Sequence, residues 1–228
     1  MTPTKLQQLI YAIVSRTGRI ARLRLAKLVY LVDWEHYRQT GESLSDAYYL
    51  REQKGPLPAS LARDLSRMQG FEIYTSPGRA DAMEGPGKNP RFQPTFNAQQ
   101  LATIERTLEK YANYSEGNIL LAAYATEPMK ALLREESAGG VRRHEPIYLK
   151  KYPRTVTQVA RAARSAQGLP TQYAVLAKQY PPLADENVTE EDIRLILEAY
   201  AQSLPLVKTA EEVLAQYTPE GGHESEAQ

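Results

Sequence analysis

The histidines His36, His144 and His223 are the first residues whose chemistry could be put to work. They are far apart in the chain, and no second histidine stands at i+3 or i+4 of any of them. A helical two-histidine metal site therefore has no support. There is no cysteine, which excludes a thiol nucleophile, a cysteine zinc site and a disulfide. Asp33 and Glu35 flank Trp34, and in a helix they point to different faces, so they do not form a working carboxylate pair. No G-x-S-x-G elbow occurs. The stretch EGPGKNP (84–90) has the look of a phosphate loop. It lacks a glycine five residues before Gly87 and a Ser or Thr after Lys88, and Pro90 blocks the helix that should follow. The expectation is a protein that is not an enzyme, with no catalytic residue, no cofactor and no metal.

Binding chemistry is better represented. There are 15 tyrosines and one tryptophan, and amphipathic aromatics and arginine dominate protein-binding hot spots. Tyr30, Trp34 and Tyr37 stand at i, i+4 and i+7, which suits packing as well as binding. VRRHEPIYLKKYP (141–153) adds the basic and aromatic residues Arg142, Arg143, Tyr148 and Tyr152. These seven residues are the candidates for contact with a partner.

Helices must position them. Leu6, Leu9, Ile10, Ile13 and Val14 form one apolar stripe, Thr4 and Gln7 make a capping box, and Gly18 stops the helix. The next helix spans about Arg22 to Thr40 and ends at Gly41. It is apolar on more than one side, as expected of a central helix, with His36 in the core or at its rim. DAYYL (46–50) reads as extended, and GPLP (55–58) as the start of a helix that buries Leu57, Leu61, Leu65 and Met68. FEIYT (71–75) and RFQPTF (91–96) read as a two-stranded ribbon with a long tip. Further helices start at Asn97, Ser115 and Thr126, and SAGG (137–140) breaks the last of them. The C-terminal third is helical again, with small or aromatic faces at 156–163 and 173–180. Thr189 and Asp192 form a capping box, Pro205 opens a last helix, and TPEGGHESEAQ (218–228) reads as a disordered tail.

From Ala184 onward there are 11 acidic and 2 basic residues, a net of −9, so the remainder carries +10. The first 32 residues hold Lys5, Arg16, Arg19, Arg22, Arg24 and Lys27 and no acid. Two short helices, a third helix and a ribbon are the parts of a winged helix, so a DNA-binding regulator is the alternative reading. The second helix is too apolar to read bases, although phosphate contact is conceivable. No apolar run reaches bilayer length, and the N-terminus is not a signal peptide. With no cysteine, a cytoplasmic location is expected.

LAKLVYLVDWEHYRQTGESLSDAYYLREQKGPLP (25–58) resembles the signature of the Panacea domain, the SocA-like antitoxin family. In that signature a KLLYLADWEHYRxTG-type helix is followed by a short extended piece and then by Gly-Pro. Gly41, Gly55 and Pro56 match its structural positions, and Lys54 departs from the apolar or aromatic residue expected there. The resemblance extends to about Glu136. It implies a mostly helical antitoxin that binds and neutralises a cognate protein toxin. It also implies that some members present the toxin to a protease and that some are borne by phages and prophages. The fold expected is mainly α: a multi-helix domain (1–136) with a small two-stranded ribbon, a helical C-terminal extension (141–218) and a tail (219–228). Partner specificity is expected in segment 141–154 and the added helices, which lie outside the resemblance.

Overall fold

The structure is a computed structural model that describes residues 3–68, 95–140, 143–149, 189 and 191–202, and the backbone alone at 74–75 and 82–84. It is mainly helical. Helix α1 (Lys5–Thr17) opens on the Thr4–Gln7 capping box and closes at Gly18. Strand β1 (Ile20–Ala21) leads into α2 (Arg22–Thr40), which stops where Gly41 turns left-handed at φ 78°. The chain continues through β2 (Tyr49–Glu52), β3 (Gly55–Pro58), α3 (Leu61–Met68), β4 (Tyr74–Thr75) and β5 (Ala82–Glu84). Then come α4 (Ala98–Tyr111), α5 (Glu116–Tyr124), α6 (Glu127–Gly139), β6 (Pro146–Ile147) and a seventh helix, α7, at 191–202.

Helix α2 is the organising element. It packs against α1, α4, α5 and β3, and its residues from Leu25 to Trp34 are all buried. Enclosure of this stretch on all sides is what its aliphatic and aromatic residues, interrupted only by Lys27 and Asp33, require.

Two small antiparallel sheets brace it, with strand orders β1-β5-β4 and β3-β2-β6. In the first, Ile20 pairs with Met83 and Tyr74 with Glu84. The returning strand therefore lies at 82–84, inside the stretch expected to be the ribbon's tip. Residues 91–94 of the expected second strand lie outside the described residues. With β1 as a third strand, α1, β1, α2, α3 and the β4–β5 hairpin follow the order of a winged helix, and β2–β3 is inserted between its second and third helices.

The second sheet corrects the reading of GPLP. It is a strand and not a helix start, and α3 begins at Leu61. The reason is its register. Tyr49 faces Pro58 and Arg51 faces Pro56, and the Ala59 N–H donates to the Tyr48 carbonyl at 2.8 Å. The positions bonded to β2 therefore alternate through Ala59 and Leu57. Both prolines place their nitrogens on the outer side, where no N–H is needed. Gly55 makes the tight entry at φ +76°, and a Cβ there would meet Leu120 Cδ1 at 3.3 Å. Leu57 is only half-buried, and Asp64 joins Leu61, Leu65 and Met68 on the buried face of α3.

Asn97 and Gln100 form a capping box on α4, and Ser115 accepts from the Asn118 N–H on α5. Thr126 does not cap α6 with its side chain. Its hydroxyl donates to the Ala123 carbonyl and accepts from Tyr30, at 2.7 Å each, while Pro128 removes one of the N–H groups a cap would serve. Helix α6 runs on through Gly139 before Gly140 ends it. At α7, Thr189 and Asp192 exchange backbone-to-side-chain bonds at 3.1 and 3.2 Å. Arg134 of α6 donates to Asp192 at 2.6 Å, and Ile193 and Ile196 enter the common core. The helices expected around 156–180 and after Pro205, and the tail, lie outside the described residues.

Candidate partner interface

The candidate surface begins with a buried carboxylate. Asp33 projects from α2 and is fully removed from solvent. It accepts five hydrogen bonds: from the backbone N–H groups of Leu44 and Ser45, each at 2.8 Å, from Ser43 Oγ at 3.0 Å, from Tyr49 Oη at 2.7 Å and from Ser45 Oγ. Burial pushes its carboxyl up from the usual range, and the donors from Ser45, Tyr49 and Ser43 pull against that shift. The Tyr49 hydroxyl is held well above its ordinary value, first by burial and then by the Asp33 charge. The loop 43–47 is thereby fastened to the core helix, and the start of β2 is fixed in rotation.

A strand sends successive side chains to opposite faces. Tyr49 points inward and meets Tyr30 edge to face, with ring centroids 5.1 Å apart. Its neighbour Tyr48 must therefore point outward, and it is 49% exposed. Strand β6 and the residues just after it repeat the alternation: Ile147 is buried, Tyr148 is 56% exposed and Leu149 is buried. Because Tyr49 pairs with Ile147, one step along the register sets Tyr48 opposite Tyr148. Their rings meet edge to face, with centroids 6.3 Å apart and planes at 72°. These two are the exposed large hydrophobic residues among those described.

Hollows lie on either side of the pair. A groove of about 620 Å³ runs beside Tyr48, between the N-terminus of α1, the 45–47 loop and α3; Lys5, Arg63 and Arg67 line it together with Asp46 and Asp64. A smaller hollow of about 80 Å³ lies beside Tyr148, between Pro128, Leu132, Glu135 and Pro146. The aromatic pair is thus a raised contact flanked by two concave places.

The sheet that carries the pair is anchored from behind. Lys27, 1% exposed, donates from Nζ to the Pro56 carbonyl at 2.7 Å. Arg51 grips Glu136 through two bonds, Nε to Oε1 at 3.0 Å and Nη2 to Oε2 at 3.1 Å, and lies over the Tyr124 ring. The Arg51 N–H donates to the Glu145 carbonyl at 2.8 Å, and the His144 N–H to the Arg51 carbonyl at 2.7 Å. The segment that delivers Tyr148 is thus joined to β2 over several residues.

Residues 25–127 match the family model described as antitoxin SocA-like, Panacea domain. No curated protein and no solved structure matches the chain. The matched segment contains Lys27, Asp33, Tyr48, Gly55 and Pro56. Tyr148, and Glu136 which holds Arg51, lie beyond it. The aromatic pair therefore joins one residue of the matched segment to one outside it.

The residues singled out from sequence fall into separate groups. Tyr30, Trp34 and Tyr37 are core residues, 0%, 6% and 6% exposed. As partner-facing candidates they are corrected: α2 is covered on every side, and Trp34 stacks on Tyr37 at 6.2 Å within that core. Tyr148 and Arg143 are exposed, and Arg142 and Tyr152 lie outside the described residues. Gly41, Gly55 and Pro56 stand at the helix stop and the strand entry. Tyr48 was not singled out, because the doublet Tyr48–Tyr49 does not say which ring faces out; only the Asp33–Tyr49 bond decides it. His36 is buried and donates from Nδ1 to the Glu42 carbonyl at 2.8 Å. His144 is exposed, 2.8 Å from a Glu52 oxygen, and His223 lies outside the described residues. Among the described residues no group of three or more His, Cys, Asp or Glu could hold a metal ion. None of their helices is long and apolar enough to cross a membrane.

Proposed function

We propose that this protein is an antitoxin that neutralises a cognate protein toxin by direct binding, and that the Tyr48–Tyr148 pair is the centre of the contact. The match of residues 25–127 to the SocA-like antitoxin family supports a role in a toxin–antitoxin system. The observation that carries the contact surface is the exposed, rigidly mounted aromatic pair. Two tyrosines fixed from behind by Asp33 and Arg51 give up little freedom when a partner covers them, and such pre-ordered aromatics make strong anchors. Tyr148 comes from outside the matched segment and Arg143 lies close to it in sequence, so the contact draws on residues that the family match does not cover. The protein acts in this reading as a stoichiometric binder and not as an enzyme.

The test is expression of each small flanking open reading frame, alone and with this chain. One product should arrest growth alone and be harmless when co-expressed, and should co-purify with the chain. Absence of any product whose toxicity the chain relieves would contradict the reading.

A further inference from the structure

The groove beside Tyr48 has a second wall that the antitoxin reading does not use. Helix α3 is cleanly two-faced. Leu61, Asp64, Leu65 and Met68 are buried, and Ala62, Arg63, Ser66 and Arg67 are exposed. Its outer stripe thus alternates small residues with arginines and carries no carboxylate. Among the described residues neither guanidinium has an acidic partner within ion-pair distance. Across the groove stands Lys5, whose Nζ is 2.7 Å from Asp46. Asp64 lines the floor but is turned into the core, 3% exposed.

The position of α3 in the fold matters as much as its charge. In the sheet order β1-β5-β4, α3 directly precedes the β4–β5 hairpin, so it holds the place of the groove-facing helix of a winged helix. Helix α2, whose apolar sequence argues against that role, is enclosed. The helix that remains available is short, basic and flanked by small side chains, which allow its backbone to come close to a duplex.

We propose that the exposed stripe of α3, through Arg63 and Arg67 with Lys5 beside them, binds the phosphate backbone of double-stranded DNA. The binding is sequence-tolerant: two arginines on phosphates position a protein without reading bases. This function is separate from toxin binding and stands or falls independently of it.

The experiment is fluorescence anisotropy of a labelled duplex of mixed sequence, titrated with the full chain across about 50 to 200 mM salt. Binding at low salt, with log affinity falling linearly in log salt, is expected. Arg63→Gln/Arg67→Gln should weaken binding at least about ten-fold and flatten the salt slope by about two units, one per lost phosphate contact. Arg63→Lys/Arg67→Lys should keep the slope, and Arg194→Gln on α7 should change nothing. Circular dichroism melting should match the parent for all three, because the altered residues are exposed. No binding at low salt would overturn the proposal. So would an unchanged slope in the glutamine variant, an equal loss in Arg194→Gln, or competition by polyglutamate as strong as by DNA.

Discussion

Lys27 and Pro56 are joined by a hydrogen bond 2.7 Å long at a place closed to solvent. The relationship ties the central helix to the Gly-Pro strand. Pro56 lies in a strand whose nitrogen faces outward, so its carbonyl also faces away from β2 and would be left without a partner. Lys27 supplies the donor. Burial, then the nearby Arg51 and Lys54 charges, push its ammonium down to about 7. The unfolded chain, at the ordinary 10.5, holds a proton that the folded chain gives up across that window. Stability should therefore rise with pH from about 7 towards 10.5, by at most about 1.4 kcal/mol per pH unit. Lys27→Met removes the titration. Urea denaturation at several pH values should show the parent gaining on the variant as pH rises; parallel curves would contradict the assignment.

Asp33→Ala should lower stability by about 3 kcal/mol or more, because it strands the buried N–H groups of Leu44 and Ser45 and leaves the Tyr49 hydroxyl only the longer bond to the Val29 carbonyl. Ser43→Ala, which removes one of five donors at a half-exposed position, should cost under about 1 kcal/mol. Chemical denaturation of the two variants checks the contrast; equal losses would mean that Asp33 does not organise the loop.

The Arg51–Glu136 pair is buried on both sides, at 3% and 7% side-chain exposure. Arg51→Met or Glu136→Leu alone should cost about 3–5 kcal/mol, since each takes the opposite charge away from a buried ion. The double variant should recover most of that loss. A double-mutant cycle by urea denaturation would show a large coupling term, and simple additivity would show that the two residues act separately.

What the sequence made legible was local. The Thr4–Gln7, Asn97–Gln100 and Thr189–Asp192 capping boxes and the glycine stops at Gly18 and Gly41 are written within a few residues, and each stands where its spacing put it. The apolar run of α2 marked a central helix for the same reason. GPLP has the local look of a helix start because Pro suits a first turn; its tie to Lys27 is made by a residue distant in the chain, and only its pairing with β2 makes it a strand. The strand at 82–84 is not legible locally because it lies between Tyr74–Thr75 and the distant Ile20–Ala21 in the sheet. Tyr30, Trp34 and Tyr37 have a spacing that serves a core and a surface alike, and only the elements packed around α2 decide between them. Nothing in the sequence links Tyr48 to Tyr148, because the two are far apart in the chain and the β2–β6 register alone sets their rings edge to face.

The central claim is that the toxin contacts the Tyr48–Tyr148 pair. It is tested most directly by repeating the growth-rescue assay with Tyr48→Ala/Tyr148→Ala and measuring affinity for the rescued partner by calorimetry. Both side chains are exposed, so melting should be unchanged while affinity falls at least about thirty-fold, the effect of losing about 2 kcal/mol at a hot spot, and rescue weakens. Full rescue with unchanged affinity, from a variant that is folded, would contradict the account.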